Sequence, residues 1–275
     1  MTKIGDYNEL EVKSAEEYGY HLLCGNDEVF LPRPLAPQSI QVHDIVRLFV
    51  YSDVRNNLIA TSRQPIAKVD EIALLKIVDL TTHGAFADIG IEKDLFIPYK
   101  EQEVKMIKGN NYLVRVCFDH RSERLIGSTR LRDFTESNTA ELQEGIAVDL
   151  LIYRKVDLGY EAIINQKYLG LIYENEIFEP INIGDSKKGY ILKKREDGKI
   201  DLRLNPEGMD AMQQAQNKIL EKLKQNENFL PLHDKTDPQV IKSELHLSKK
   251  LFKKALGNLY KQQKVRLDSD GIRLV

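Results

Sequence analysis

The stretch from His83 to Pro98, HGAFADIGIEKDLFIP, constrains the fold of this chain more than any other. A glycine and small residues open an alternating segment, and a glycine-containing connection leads to a second apolar run, which is typical of two short strands. Similar segments occur before it, at Ile72 to Leu80, and after it, at Tyr112 to Phe118 and Leu125 to Thr129. Five short strands within about 60 residues predict a small closed β-barrel of the oligonucleotide-binding (OB) type.

Several separated positions of this segment resemble the S1-type RNA-binding domain, an OB-fold repeat of a small-subunit ribosomal protein. The matching positions follow the order of the family pattern: His83, Gly84, Ala85, Phe86, Ala87 and Asp88, then Asp94, Leu95, Phe96 and Ile97, then Asp119, Arg124 and Ser128. His83 stands where the family has another aromatic residue, and Ile97 stands where it has a histidine. The resemblance implies a barrel that binds single-stranded RNA.

Barrels of this kind bind single strands by stacking bases on aromatic side chains while basic residues follow the backbone. The resemblance places His83 and Phe86 on an outward face, where both are candidate stacking residues. Phe96 and Tyr99 are candidate neighbours of this face. For Phe96, however, we expect core packing, because it lies in the apolar run from Leu95 to Ile97 and only one side of a strand faces water.

Polar and basic residues near the same face supply the charge that a phosphate backbone requires. The candidates at this rim are Asp119, Arg121, Arg124 and Arg130. Asp119 and Arg124 lie on either side of a predicted turn. Two roles remain open for them: the carboxylate pairs with the guanidinium and directs it toward RNA, or the pair only fixes the loop.

Fainter copies of the pattern flank the central barrel. Their glycines, Gly19, Gly84 and Gly159, are 65 and 75 residues apart, and such a period is the signature of tandem units. In the outer copies His21 and Glu161 replace the motif phenylalanine, so these copies are degenerate. The prediction is three S1-like OB barrels, over residues 1–67, 68–138 and 139–206.

Beyond Asn205-Pro206 the hydrophobic period changes from 2 to 3.6 residues, which predicts helices. Asp237 and Ser248 are predicted N-caps of the second and third helices. Two alternating segments around Asp270-Gly271 predict a closing hairpin. The predicted helices are Glu207 to Gln225, Pro238 to Leu245 and Lys249 to Lys264. This order is typical of a winged-helix domain, here residues 207–275.

The third predicted helix has an apolar side and a basic side. The predicted core stripe is Leu251, Phe252, Ala255, Leu259 and Tyr260. The opposite side carries Lys250, Lys253, Lys254, Lys261 and Lys264. In a helix-turn-helix fold this is the recognition helix, so the lysines are candidates for phosphate contacts. A solvated lysine face without a ligand is the other interpretation, and Gly257 either allows close backbone approach or has no role.

Composition limits the remaining possibilities. The net charge is -2 at pH 7, so a nucleic-acid site must be a local patch. Residues 207–275 contain 13 Lys+Arg and 9 Asp+Glu, a net +4, which leaves -6 for residues 1–206. Cys24 and Cys117 form no CxxC motif and the histidines lack ligand spacing, so we expect no metal and no cofactor. The absence of a long apolar run favours a cytoplasmic protein without a membrane partner.

Three S1-type barrels followed by a winged helix resemble the conserved virulence factor B family of bacterial RNA-binding regulators. The resemblance implies a regulator that acts after transcription, with single-stranded RNA as its partner and with duplex nucleic acid or ribosomal components as further candidates for the winged helix. We expect no enzyme, because P-loop, GxGxxG, HExxH and GxSxG motifs are absent from the sequence. Two alternatives remain: a DNA-binding transcription regulator led by the winged helix, and a ribosome-associated scaffold for protein interactions.

Overall fold

The computed structural model describes residues 2–177, 180–204 and 211–275. The chain divides into two compact units, Met1–Thr135 and Glu136–Val275. The first unit contains two closed barrels, and the second contains a closed barrel and a small helical domain. The mainly β fold class predicted from the sequence, three five-stranded OB barrels followed by a winged helix, is confirmed.

All three barrels have the same connectivity, in which the first strand pairs with the second and fourth, and the third pairs in parallel with the fifth. The first barrel consists of β1 (Asp6–Ala15), β2 (Gly19–Cys24), β3 (Asp27–Pro32), β4 (Ile45–Ser52) and β5 (Leu58–Thr61). The second consists of β6 (Ile72–Leu80), β7 (Gly84–Ala87), β8 (Leu95–Pro98), β9 (Asn111–Asp119) and β10 (Arg124–Ser128). The third consists of β11 (Ala147–Val156), β12 (Gly159–Ile164), β13 (Tyr168–Tyr173), β14 (Ser186–Lys194) and β15 (Ile200–Arg203).

A glycine opens the second strand of every barrel, where that strand passes close to the third. A Cβ atom at each glycine would lie 2.4 Å or less from a carbonyl oxygen of the third strand. Any other residue would therefore force the two strands apart, which explains why the pattern repeats with glycine. The glycines and the facing carbonyls are Gly19 and Leu31, Gly84 and Ile97, and Gly159 and Ile172.

β4 joins the two barrels of the first unit. Leu48 and Val50 belong to the core of the first barrel. Phe49 and Tyr51 alternate with them and belong to the apolar core of the second barrel. The connection between the two barrels also packs, because the backbone N–H of Ile66 donates to the carbonyl oxygen of Ile89 in the second barrel at 2.7 Å. The first unit is therefore a pair of barrels with a shared apolar contact.

The described part of the helical domain has three α-helices and a three-stranded sheet. The helices are α1 (Ala211–Gln225), α2 (Pro238–Leu245) and α3 (Lys249–Lys261), and the strands are β16 (Phe229–Leu230), β17 (Val265–Asp268) and β18 (Gly271–Leu274). The predicted N-caps are observed, since the Asp237 carboxylate accepts from the N–H of Gln239 at 2.8 Å and the Ser248 hydroxyl from that of Leu251 at 3.2 Å. Within the described residues, no helix is long and apolar enough to cross a lipid bilayer.

Some predicted features lie outside the described residues. These are the beginning of the first helix at residues 207–210, the boundary between residues 206 and 207, and Phe178. The sequence predicts the first part of the third copy of the barrel pattern over Val148 to Phe178, so Phe178 is its last residue. The described part of the first helix begins at Ala211 and ends at Gln225, the predicted C-terminal residue.

α3 buries a narrower stripe than predicted. The buried residues are Phe252, Ala255, Leu256 and Leu259, which lie on one side of the helix. Tyr260 was predicted to belong to this stripe, but its side chain is 55% exposed. One further residue along the helix turns the side chain by about 100° relative to Leu259, onto the side of Lys253. The prediction for Tyr260 was therefore wrong, and Leu256 completes the stripe.

Gly257 lies on the exposed side of α3, and no neighbouring atom lies within 4 Å of the position that its Cβ would occupy. Because glycine destabilises a helix interior relative to alanine, we expect Gly257→Ala to raise the free energy of unfolding by about 0.5–1 kcal/mol. Urea denaturation followed by far-UV circular dichroism measures this change. A variant that is less stable than the unchanged protein would contradict the absence of close neighbours around Gly257. A variant that is stable but binds nucleic acid more weakly would indicate that the ligand backbone approaches this glycine.

Candidate nucleic-acid interface

Phe86 and Phe96 form an aromatic pair on the outside of the second barrel. They are direct partners in the register of β7 and β8, and their ring centroids lie 5.1 Å apart with an interplanar angle of 42°. Both side chains are half-buried. The expectation of core packing for Phe96 was wrong, because Leu95 and Ile97 occupy the core and strand alternation turns the residue between them outward.

The aromatic pair lies in an open concavity of about 540 Å³. This volume is within the range of pockets that bind small organic groups. Val54, in the β4–β5 loop, brings the first barrel into the wall of the concavity. The lining residues are Val54, Thr81, His83, Phe86, Lys93, Asp94, Phe96, Pro98, Lys100, Asp119, Ser122, Arg124, Leu125 and Ile126.

Three basic residues line the concavity, namely Lys93, Lys100 and Arg124. The Lys93 ammonium donates to the backbone carbonyl oxygen of Ser52 in the first barrel at 2.6 Å. Burial lowers the pKa of Lys93, and the charge of Arg124 adds to this shift. Lys93 and Lys100 were not predicted as site residues because neither is a position of the S1 motif. Their locations close to the two ends of β8 are the signal that could have identified them.

Two carboxylates in the concavity differ in their affinity for a proton. Asp119 accepts hydrogen bonds from the Ser122 hydroxyl at 2.6 Å and from the backbone N–H of Arg121 at 3.2 Å, and these bonds hold its pKa below the usual range. Burial raises the pKa of Asp94, and the charge of Asp88 adds to the shift. Asp119 is therefore fixed in its charged form, whereas Asp94 takes up a proton more readily than an ordinary aspartate. Within the described residues, no group of three potential metal ligands occurs.

Arg124 connects the two barrels of the first unit. Its Nε donates to Oδ1 of Asn56 at 2.9 Å, and an Nη atom donates to the backbone carbonyl of Val54. The predicted pairing with Asp119 across the turn is thus not the observed arrangement. The reason is that the β4–β5 loop of the first barrel packs beside the turn, a contact that local sequence does not reveal.

The other predicted residues of the second barrel differ in their position relative to this concavity. His83 lines it and is exposed, with Nδ1 3.0 Å from the Thr82 hydroxyl. Tyr99 is exposed, and its hydroxyl donates to the carbonyl oxygen of Thr81 at 2.8 Å. Tyr99, Arg121 and Arg130 are not among the residues that line the concavity. Arg130 instead donates to the Asp133 carboxylate at 2.8 Å.

The lysines predicted to form the basic side of the third helix are all exposed: Lys250, Lys253, Lys254, Lys261 and Lys264. The first four lie on α3, away from its buried stripe, and Lys264 follows the end of the helix. The ammonium of Lys253 is 3.9 Å from the carboxylate of Asp234. This arrangement presents several positive charges to solvent on one side of the winged helix.

The outer barrels differ at the positions of the aromatic pair. In the first barrel His21 and Phe30 are strand partners, with ring centroids 5.4 Å apart. In the third barrel Glu161 and Leu171 occupy these positions, and Glu161 lies 3.0 Å from the guanidinium of Arg154. The first barrel therefore keeps an aromatic pair, and the third replaces it with an ion pair and an aliphatic side chain.

Comparison with known proteins identifies the domains. A model of the CvfB-like winged helix domain matches residues 217–274, and a model of the S1 domain matches residues 4–63. The Conserved virulence factor B protein of Staphylococcus saprophyticus is 24% identical over 98% of this chain and 94% of its own length. This chain is similar to the conserved virulence factor B proteins. The resemblance predicted from the sequence is confirmed, and its domains are of nucleic-acid-binding types.

Two further comparisons cover nearly the whole chain. Bacillus subtilis has an uncharacterized protein, YitL, that is 28% identical over 95% of this chain and 90% of its own. A crystal structure of a multidomain protein with nucleic acid binding domains from Streptococcus pneumoniae aligns with 99% of this chain and 98% of its own, at 23% identity and a TM-score of 0.46. Among the barrels, the S1 model matches the first, although the S1 motif is most complete in the second.

Proposed function

We propose that this protein binds single-stranded RNA through the second barrel and the lysine side of α3, and that it regulates gene expression after transcription, in the cytoplasm and without catalysing a reaction. The observation that carries the proposal is the pairing of Phe86 with Phe96 in a concavity with basic residues at its rim. Bases stack on such rings, and cations beside them contact phosphates. The relationship to the conserved virulence factor B proteins supports the regulatory role.

Two small sites on one chain support each other. A single concavity of about 540 Å³ accommodates only a short part of an RNA strand. Once the barrel has bound, the lysines of α3 meet the same strand at a high effective concentration, provided that the RNA is long enough to reach both. We therefore expect long single strands to bind more tightly than short ones.

The salt dependence of binding tests the role of α3. We expect the triple variant Lys250→Gln, Lys254→Gln, Lys261→Gln to bind RNA more weakly, with a logarithmic salt slope that is shallower by roughly 2, since each phosphate contact to a single strand contributes about 0.7. A variant with the exposed lysines Lys3, Lys13 and Lys224 replaced by glutamine loses the same charge elsewhere and serves as the control. Equal salt slopes of RNA binding for the two variants would show that the lysines of α3 do not contact the RNA.

The raised pKa of Asp94 gives a second expectation. Protonation of Asp94 removes negative charge beside the aromatic pair, so RNA affinity should increase as the pH falls through this raised pKa. Asp94→Asn removes the charge at every pH and should strengthen binding at neutral pH by up to about 5-fold, as for a partly exposed charge interaction. The RNA affinity of Asp94→Asn divided by that of the unchanged protein, measured across a pH series, isolates the contribution of the Asp94 charge. Weaker binding by the variant at neutral pH would show that the carboxylate itself contacts RNA.

A DNA-binding transcription regulator is the alternative that the same winged helix offers. α3 contains lysines but no arginine, the residue most often used to read guanine in the major groove. Asn258 is half-buried, and Gln262 lies after the last residue of α3. The observations therefore favour phosphate contacts over base readout for this helix.

A further inference from the structure

The first barrel keeps the shape of the proposed RNA site but reverses its charge. His21, Phe30 and Pro32 line an open concavity of about 710 Å³, at the positions of Phe86, Phe96 and Pro98 in the second barrel. Tyr18, which is 76% exposed, precedes Gly19 as His83 precedes Gly84. The aromatic surface is thus conserved between the two barrels of this chain.

The basic residues of the second barrel have no basic counterparts in the first. In the register of the two barrels, Lys93, Lys100 and Arg124 correspond to Asp27, Pro34 and Asn57. A polyanion on the first barrel would therefore lose the cations that the second barrel offers to phosphates. Arg33, a cation near this face, donates to the backbone carbonyl of Glu17 at 2.8 Å and packs over the ring of Tyr20, and it is not one of the lining residues.

Carboxylates surround the aromatic pair of the first barrel. Glu28 and Asp53 line the concavity. The His21 ring lies between two exposed glutamates, with Nδ1 2.9 Å from Glu28 and Nε2 3.4 Å from Glu16. An aromatic surface bordered by carboxylates is complementary to a cation, because a guanidinium stacks on the ring face and pairs with the acids at its edge.

We propose that the first barrel binds an extended, arginine-containing segment of a partner protein. The aromatic pair accepts the guanidinium plane, Glu16 and Glu28 pair with its N–H groups, and the concavity gives room for the aliphatic part of the side chain. This interaction is independent of RNA binding by the second barrel, because the two aromatic pairs belong to different barrels. The chain would then bring a basic protein and an RNA strand together.

The test uses the full chain and a fluorescein-labelled GRGRGRG peptide, with GEGEGEG as the charge-reversed probe, in fluorescence anisotropy. We expect binding of the arginine peptide only, and a loss of affinity of about 2- to 5-fold on Phe30→Ala, as for removal of a cation–π contact. Glu16→Gln with Glu28→Gln should give a similar loss and leaves the ring in place. Asp197→Asn with Glu227→Gln, which removes equal charge from the second unit, should have no effect.

Comparison with Phe86→Ala separates this inference from the proposed function. Phe86→Ala should leave the affinity for the arginine peptide unchanged, and Phe30→Ala should leave the affinity for single-stranded RNA unchanged. The inference is overturned if the arginine peptide does not bind, if it binds the Phe30→Ala and the double glutamine variants as tightly as the unchanged protein, or if Phe30→Ala weakens RNA binding instead. Urea denaturation of each variant followed by tyrosine fluorescence, together with size-exclusion chromatography, confirms that the barrels remain folded.

Discussion

Replacing Phe86 with alanine is expected to weaken binding of single-stranded RNA by about 1–3 kcal/mol, or roughly 5- to 150-fold. The ring supplies one half of the aromatic pair that Phe86 and Phe96 form on the outside of the second barrel. Without it, a base that stacks on Phe96 loses its second ring and the concavity becomes wider. The basic residues of the rim are unchanged, so the salt slope should remain the same while the affinity falls.

Stability should change much less than affinity in this variant. Phe86 is half-buried and lies outside the apolar core of the barrel, so its removal leaves the core intact. Phe30→Ala is the matched control, because it removes the corresponding ring of the first barrel, where basic counterparts of the rim are absent. Fluorescence anisotropy with a labelled single-stranded RNA measures both variants. An unchanged affinity for Phe86→Ala would exclude this surface as the RNA site.

Replacing Phe252 with alanine is expected to lower the free energy of unfolding of the winged helix by about 3–5 kcal/mol. Phe252 is fully buried in the core that α3 shares with α1, α2 and the small sheet. Alanine would leave a cavity among tightly packed neighbours, and a small domain tolerates this poorly because its total stability is only several kcal/mol. Loss of α3 would also remove the lysine side, so RNA binding should become less dependent on salt.

Tyr260→Ala is the control for this substitution on the same helix. Because Tyr260 is exposed, its removal should change the stability by no more than about 0.5 kcal/mol. The α-helices of the described residues all lie in the winged-helix domain, so far-UV circular dichroism during urea denaturation reports mainly on this part of the chain. Equal stabilities of the two variants would show that the core stripe of α3 is assigned incorrectly.

Local patterns were sufficient to predict most of the fold. Alternation predicted β6 with its observed ends, and the capping residues predicted the first residues of α2 and α3. The glycine spacing predicted three barrels because each barrel needs a glycine at the point where its second strand passes close to the third. Features of this kind depend on residues near in sequence and therefore remain visible without a structure.

The candidate site was predicted less completely, because part of it depends on packing between barrels. The position of Arg124 is set by Asn56 and by the carbonyl of Val54, 68 and 70 residues away in sequence. One part of this packing was visible in the sequence. Leu48 to Tyr51, in the second half of β4, is continuously apolar, which is typical of a strand that is buried on both faces. For Phe96, the alternation of side chains along a strand would have predicted an outward position, because its neighbours Leu95 and Ile97 face the core. The apolar character of these neighbours led to the expectation of core packing instead.

The most direct test of the central proposal is the affinity of the full chain for single-stranded RNA, single-stranded DNA and duplex DNA of one sequence, measured by fluorescence anisotropy at the same ionic strength. The proposed site predicts that single-stranded RNA binds more tightly than duplex DNA, and that Phe86→Ala reduces this preference. Preferential binding of duplex DNA, or no binding of any of the three, would contradict the assignment of the second barrel as an RNA-binding site.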